Sequence, residues 1–132
     1  DINLTLRTSI IGPELKNNGE GLFSWFINQK GEVNGFNESI WGGVTTLVLS
    51  DIIIKSINEN YTGIVHVTNG KPISKFDLLS LIKDKFELHN IDLKKISGKK
   101  SDKSLNTKYD YFNVPSYEQM IIDMYKYCLK NY

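Results

Sequence analysis

Polar groups able to meet a small ligand gather first in Leu4-Thr5-Leu6-Arg7-Thr8-Ser9-Ile10-Ile11-Gly12-Pro13. The first half alternates, Leu4 and Leu6 against Thr5 and Arg7, and this period of two predicts a strand that Gly12-Pro13 stops. A strand ending in Thr8 and Ser9 before such a break presents small hydroxyls at the carboxyl edge of a sheet, where open α/β sheets place ligands. The alternative is a buried strand whose Thr8 and Ser9 bond neighbouring backbone. The second candidate is Trp41-Gly42-Gly43-Val44-Thr45-Thr46. Its adjacent glycines permit close approach of another group, and Thr45 or Thr46 can cap the helix that follows. Backbone N–H groups at that helix start suit a phosphate, while a plain structural turn explains the same residues.

Three other features have less specific chemistry. His66 lies between valines in an expected strand, far from His89 and without an acidic or thiol neighbour at ligand spacing, so it reads as structural or exposed. Lys94, Lys95, Lys99, Lys100, Lys103 and Lys108 make the 91–108 stretch basic. Such a run holds a nucleotide diphosphate or RNA in some proteins and is a solvated strand and loop in more. Cys128 follows Ile121 and Tyr125 at helical spacing and reads as a small buried hydrophobe.

The elements that must position these groups follow from periodicity and punctuation. Residues 14–21 form a loop by composition, and Leu22, Phe23, Phe26 and Ile27 then recur as a short helix closed by Gly31. In that helix Trp25 and Phe26 either pack in the core or line a pocket. A short strand is expected over 31–36, a turn over 37–39, and a loop from Ile40 to the helix Thr46 to Asn58. That helix carries Leu47, Val48, Leu49, Ile52, Ile53, Ile54 and Ile57, so it needs cover on most sides. A face left uncovered would favour homo-oligomers. A second main strand is expected over 63–69, then a helix capped by Ser74 with Asp77, then a last helix opened by Ser116 and Gln119 after Pro115. The inner face of the last helix is expected to be Ile121, Ile122, Tyr125, Cys128 and Leu129.

With 132 residues the chain has one domain's length, and 16 basic against 15 acidic side chains leave no field to draw nucleic acid or a membrane surface. No apolar run approaches the roughly 18 residues a bilayer span needs. One cysteine permits no intrachain disulfide and fits a reducing, cytoplasmic setting. The chain opens at Asp1, not methionine, as a piece of a longer protein does.

Leu6-Arg7-Thr8-Ser9-Ile10-Ile11-Gly12-Pro13 resembles the segment after the catalytic region of extended short-chain dehydrogenase/reductases, in particular the dTDP-4-dehydrorhamnose reductase group. Three more segments match in order: Val33 to Phe36 through Trp41 to Leu47, Gly63 to Gly70 with Ile73-Ser74-Lys75, and Asp102-Lys103-Ser104-Leu105. Lys103 stands where relatives carry arginine, and Ile10 where many carry asparagine or tryptophan. The resemblance implies an α/β fold: the carboxyl-terminal, substrate-binding portion of a Rossmann-type reductase, spanning 1–132, with few strands and about four helices. Two main strands would lie together at one end of a larger sheet. It implies that Arg7, Thr8 and Ser9 stand near nicotinamide and sugar, and Trp41, Gly42 and Thr45 near a nucleotide-sugar substrate.

The family's amino-terminal Rossmann half, the expected partner that would bind NAD(P)H, has no counterpart here. None of Tyr61, Tyr109, Tyr111, Tyr117, Tyr125, Tyr127 and Tyr132 has lysine four residues on, and no glycine-rich dinucleotide turn occurs. No cofactor, metal or catalytic residue is therefore expected in this chain. Two other readings stay open: a nucleotide-sugar epimerase or dehydratase of the same superfamily, and a non-catalytic regulatory member of the fold.

Overall fold

Two parallel strands, β1 (Leu4–Arg7) and β6 (Gly63–His66), form the end of the fold that carries the first polar segment. The computed structural model describes residues 2–16 and 18–131. Asn17 of the expected 14–21 loop, together with Asp1 and Tyr132, lies outside them. Among the described residues the architecture is α/β, with four helices and short, mostly parallel strands.

In chain order β1 is followed by β2 (Ile10–Ile11), α1 (Leu22–Ile27), β3 (Gly31–Phe36), β4 (Ser39–Trp41), β5 (Val44–Thr45) and α2 (Thr46–Asn58). After β6 come β7 (Ile73–Ser74), α3 (Lys75–Lys85), β8 (Ile91–Ile96), β9 (Ser101–Lys103) and α4 (Tyr117–Asn131). Parallel pairs join β1 to β6, β2 to β5 and β3 to β8, while β4 lies between antiparallel β7 and parallel β9. The two main strands are together as expected, but the minor strands are more numerous than the expected pair or two. Ser39, read as a turn residue, begins β4, and the expected Ile40 to Thr46 loop contains both β4 and β5. Pairings this short are set by distant partners and leave no periodic pattern.

Helix starts follow local chemistry. Thr45 Oγ1 accepts from Val48 N at 3.3 Å to cap α2. Ser74 Oγ accepts from Asp77 N at 3.0 Å and donates to Asp77 Oδ2 at 2.8 Å to cap α3, and Ser116 Oγ accepts from Gln119 N at 3.2 Å before α4.

The core centres on β3, β8, α1, α3 and α4, where Phe23, Phe26, Leu78, Ile82, Met120, Ile121 and Met124 are buried, and continues through Ile11, Val44, Ile52 and Val67. The inner face of α4 is thus Tyr117, Met120, Ile121 and Met124, rotated from the expected stripe. Cys128 and Tyr125 are half-buried, and Leu129 is exposed. Ile122, expected on the inner face, is half-buried, and the buried positions on either side of Ile121 are taken by Met120 and Met124. On α2 only Ile52 and Ser56 are buried, while Ile53, Ile54 and Ile57 reach solvent, Ile57 with 69% of its surface. The uncovered apolar face that the sequence implies is therefore present.

Candidate functional site

The four segments singled out in the sequence meet beyond the carboxyl end of β1. Thr8 Oγ1 donates to Val67 O at 2.9 Å, tying the first segment to the end of β6. Ser9 O accepts from Val44 N at 3.0 Å, and the β2–β5 pair continues this join, with Ile10 opposite Val44 and Ile11 opposite Thr45. Gly42 lies against Ser104 and Leu105, so closely that a Cβ there would stand 3.1 Å from Leu105 N and 3.2 Å from Ser104 Cα. His66 Nδ1 is 2.9 Å from Asn106 O, closing the circuit.

Individual side chains differ in what they offer. Arg7 is exposed at the end of β1, opposite His66, on the face away from Leu6. Thr8 is half-buried with its hydroxyl committed to backbone, which is the structural alternative for that residue; Ser9 is half-buried beside it. Thr45 is buried and its hydroxyl caps α2. Trp41 is buried against Tyr117, with ring centroids 6.0 Å apart. The space that the two glycines leave is taken by the chain itself: a Cβ on Gly43 would overlap the Ser9 carbonyl and press on the Trp41 ring.

Tyr117 is the residue that sequence reasoning missed. Its hydroxyl donates to Lys71 O, and burial pushes its phenol up from the usual range while the Gly43 backbone pulls the other way. Its only sequence signal is an aromatic at the first position of a helix behind a Pro-Ser cap. At the turn after β9, Asp102 Oδ1 accepts from Ser104 N at 2.9 Å and from Ser104 Oγ at 2.6 Å, bonds that hold its carboxyl below the usual carboxylate range.

The lysine run is spread along β8, β9 and the loops beside them. Lys94 pairs with Asp92 at 2.9 Å and Lys100 with Glu38 at 3.7 Å, while Lys95 and Lys99 lie over the rings of Phe76 and Phe36. Those four lysines are therefore engaged locally. A cavity of about 1180 Å³ opens beside α1, lined by Phe23, Trp25, Phe86, Leu88, Glu14 and Cys128 among others. Trp25, 42% exposed, borders it, whereas Phe26 is in the core. Burial pushes the Cys128 thiol up. Among the described residues no helix is long and apolar enough to cross a membrane, and no group of acidic, histidine and cysteine side chains could hold a metal ion.

No family model and no curated protein matches the sequence. Solved structures do match. dTDP-4-dehydrorhamnose reductase from Bacillus anthracis, solved with NADP, superposes with a TM-score of 0.79 at 16% identity, over 96% of this chain and 49% of that one. The same enzyme from Yersinia enterocolitica gives 0.73 at 17% identity, over 93% and 48%. UDP-N-acetylglucosamine 4-epimerase from Methanobrevibacter ruminantium, solved with UDP-N-acetylmuramic acid, gives 0.66 at 16%, over 98% and 46%. The chain spans about half the length of these solved structures. Its fold is that of the part of dTDP-4-dehydrorhamnose reductases it covers, an architecture these enzymes share with sugar-nucleotide epimerases and dehydratases.

Proposed function

We propose that residues 1–132 are the sugar-nucleotide-binding portion of an NAD(P)H-dependent reductase of the extended short-chain dehydrogenase/reductase superfamily. It is most like the dTDP-4-dehydrorhamnose reductases of surface-polysaccharide synthesis and acts in the cytoplasm. The single observation that carries this is the meeting of four distant segments beyond the carboxyl end of a parallel pair, the place where α/β sheets bind ligands. In this reading Arg7 and Ser9 face nicotinamide and sugar, and Thr8 fixes the strand end that presents them. Trp41, Gly42 and Thr45 support the wall along the nucleotide sugar from behind, Trp41 and Thr45 buried and Gly42 packed against Ser104 and Leu105. Arg7 is exposed and supplies a planar cation suited to phosphate or carboxylate oxygens.

A nicotinamide dinucleotide would supply the hydride. The residues of this chain do not fit its diphosphate: the Gly42-Gly43 turn is filled by Ser9 and Ser104, so no open glycine cradle remains. In this reading the cofactor is held by an amino-terminal half, which the resemblance also supplies with the catalytic tyrosine and lysine. NADPH oxidation by the protein that includes this half, with dTDP-4-dehydrorhamnose as substrate, tests the reading. Arg7→Ala and Ser9→Ala are each expected to weaken substrate binding by about tenfold, the scale of a lost hydrogen bond to a charged group. Unchanged substrate affinity in both variants would remove these residues from the site. The likeness to the epimerase and to dTDP-glucose 4,6-dehydratase favours a second reading, in which a UDP- or dTDP-sugar is isomerised or dehydrated on the same scaffold. Binding without turnover of any such sugar would favour the non-catalytic member.

A further inference from the structure

The segment between β9 and α4 carries a ring stack that the cleft does not use. Tyr109 and Tyr111 stack with centroids 4.9 Å apart and planes 7° from parallel, and Tyr61 takes another place on Tyr111 at 4.8 Å and 22°. Phe112 meets Tyr61 and Tyr111 edge-on, and Lys55 Nζ donates to Tyr111 O at 2.5 Å, so the middle ring is braced. Tyr109 ends the stack with 45% of its surface exposed, and the Thr107 hydroxyl bonds its carbonyl at 3.0 Å and its N–H at 3.2 Å.

Tyr109 also lines a cavity of about 500 Å³ with Thr68, Asn69, Lys108, Asp110 and Asn113. Two of these are occupied elsewhere: Thr68 Oγ1 accepts from Gly70 N, and the Asn69 amide bonds Pro115 O and Lys71 N. The Lys108 ammonium, the Asp110 carboxylate and the Asn113 amide take part in none of the ion pairs or side-chain hydrogen bonds among the described residues.

A fixed aromatic face beside one cation, one carboxylate and one primary amide suits a particular ligand chemistry. The negative face of a tyrosine ring attracts polarised C–H bonds such as those on one side of a sugar ring. Sugar hydroxyls both donate and accept, so one ring can bond an acceptor-only carboxylate, a donor-only ammonium and an amide together. The opposite charges of Lys108 and Asp110 nearly cancel, which disfavours a phosphate. We propose that this cavity binds a pyranose ring, with Tyr109 as its platform and Asp110, Asn113 and Lys108 holding its hydroxyls. The proposal needs no nucleotide and does not depend on the reductase reading of the cleft.

Saturation-transfer NMR on the full-length protein tests it, with methyl α-glycosides of glucose, mannose, rhamnose and N-acetylglucosamine as probes, and thymidine and uridine beside them. At least one glycoside is expected to receive saturation, reduced about fivefold by Tyr109→Ala, as loss of a stacked ring predicts. Tyr109→Phe should retain the signal, Asp110→Asn should weaken it, and Ser9→Ala in the cleft should leave it unchanged. Amide spectra of each variant report whether the fold is intact. Nucleoside signals without glycoside signals, a glycoside signal lost with Ser9→Ala but kept with Tyr109→Ala, or no glycoside signal at all would each overturn the proposal.

Discussion

Gly43 and Tyr117 meet at the candidate site and both help to hold it together. A methyl group at Gly43 has nowhere to go, because the Ser9 carbonyl and the Trp41 ring already fill its place. Gly43→Ala is expected to cost about 1–3 kcal/mol in urea unfolding, the range for an overpacked site. Alanine at exposed Gly31, whose Cβ position is open, tests a different cost, the strain of its φ of +74° alone. Tyr117 adds a pH dependence. Burial raises its folded pKa above the ordinary 10.0, so its contribution is complete below pH 10 and falls as pH rises through the higher folded value. Tyr117→Phe should lose about 1 kcal/mol at neutral pH with the bond to Lys71 O, and should show a smaller alkaline decline than the parent. Melting curves from pH 8 to 11 separate the two effects, and an alkaline decline equal in both proteins would place it on other groups.

Helix caps illustrate what was legible in the sequence. Thr45, Ser74 with Asp77, and Ser116 with Gln119 all act within a few residues of their partners, so local spacing reveals them. The pairings of β2 with β5, and of β4 with β7 and β9, join segments dozens of residues apart and left no such mark. For the same reason the sequence could suggest that Gly42 and Gly43 receive a close neighbour but not that the neighbours are Ser104 and Ser9. On α2 the excess of isoleucine was visible, and only the structure shows that Ile53, Ile54 and Ile57 share the uncovered side. Thr45→Ala should destabilise α2 by about 0.5–2 kcal/mol, and Thr45→Ser should recover most of it. Sedimentation of the chain is expected to show concentration-dependent association that Ile54→Glu with Ile57→Glu reduces. Association unchanged by both substitutions would assign it to another surface.

At the scale of the molecule the two ends are finished to different degrees. Around α1, α3, α4, β3 and β8, Phe26 and Ile82 are wholly buried and the hydrophobic core is continuous. At the other end β1 pairs with β6 on one side only, and among the described residues no strand adjoins its other edge. Parallel sheets nearly always have both faces covered, yet Ile64 on β6 is 64% exposed opposite Thr5. This chain covers about half of the Bacillus anthracis and Yersinia enterocolitica reductase structures, and the proposal assigns the open edge to further strands of a nucleotide-binding half. Hydrogen exchange makes the assignment measurable, because backbone amides are protected in proportion to the stability of the unit that contains them. In residues 1–132 alone, amides of β1 and β6 should exchange well before those of α3 and α4. In the protein that includes the preceding half, the two sets should slow toward a common rate. The melting temperature should also rise, by roughly 2–4 °C for each kcal/mol gained at the size of the longer protein. Equal protection of β1, β6 and α3 in the shorter chain, unmoved by adding the other half, would mean that the strand pair is stable with its edge open and that no further layer is required there.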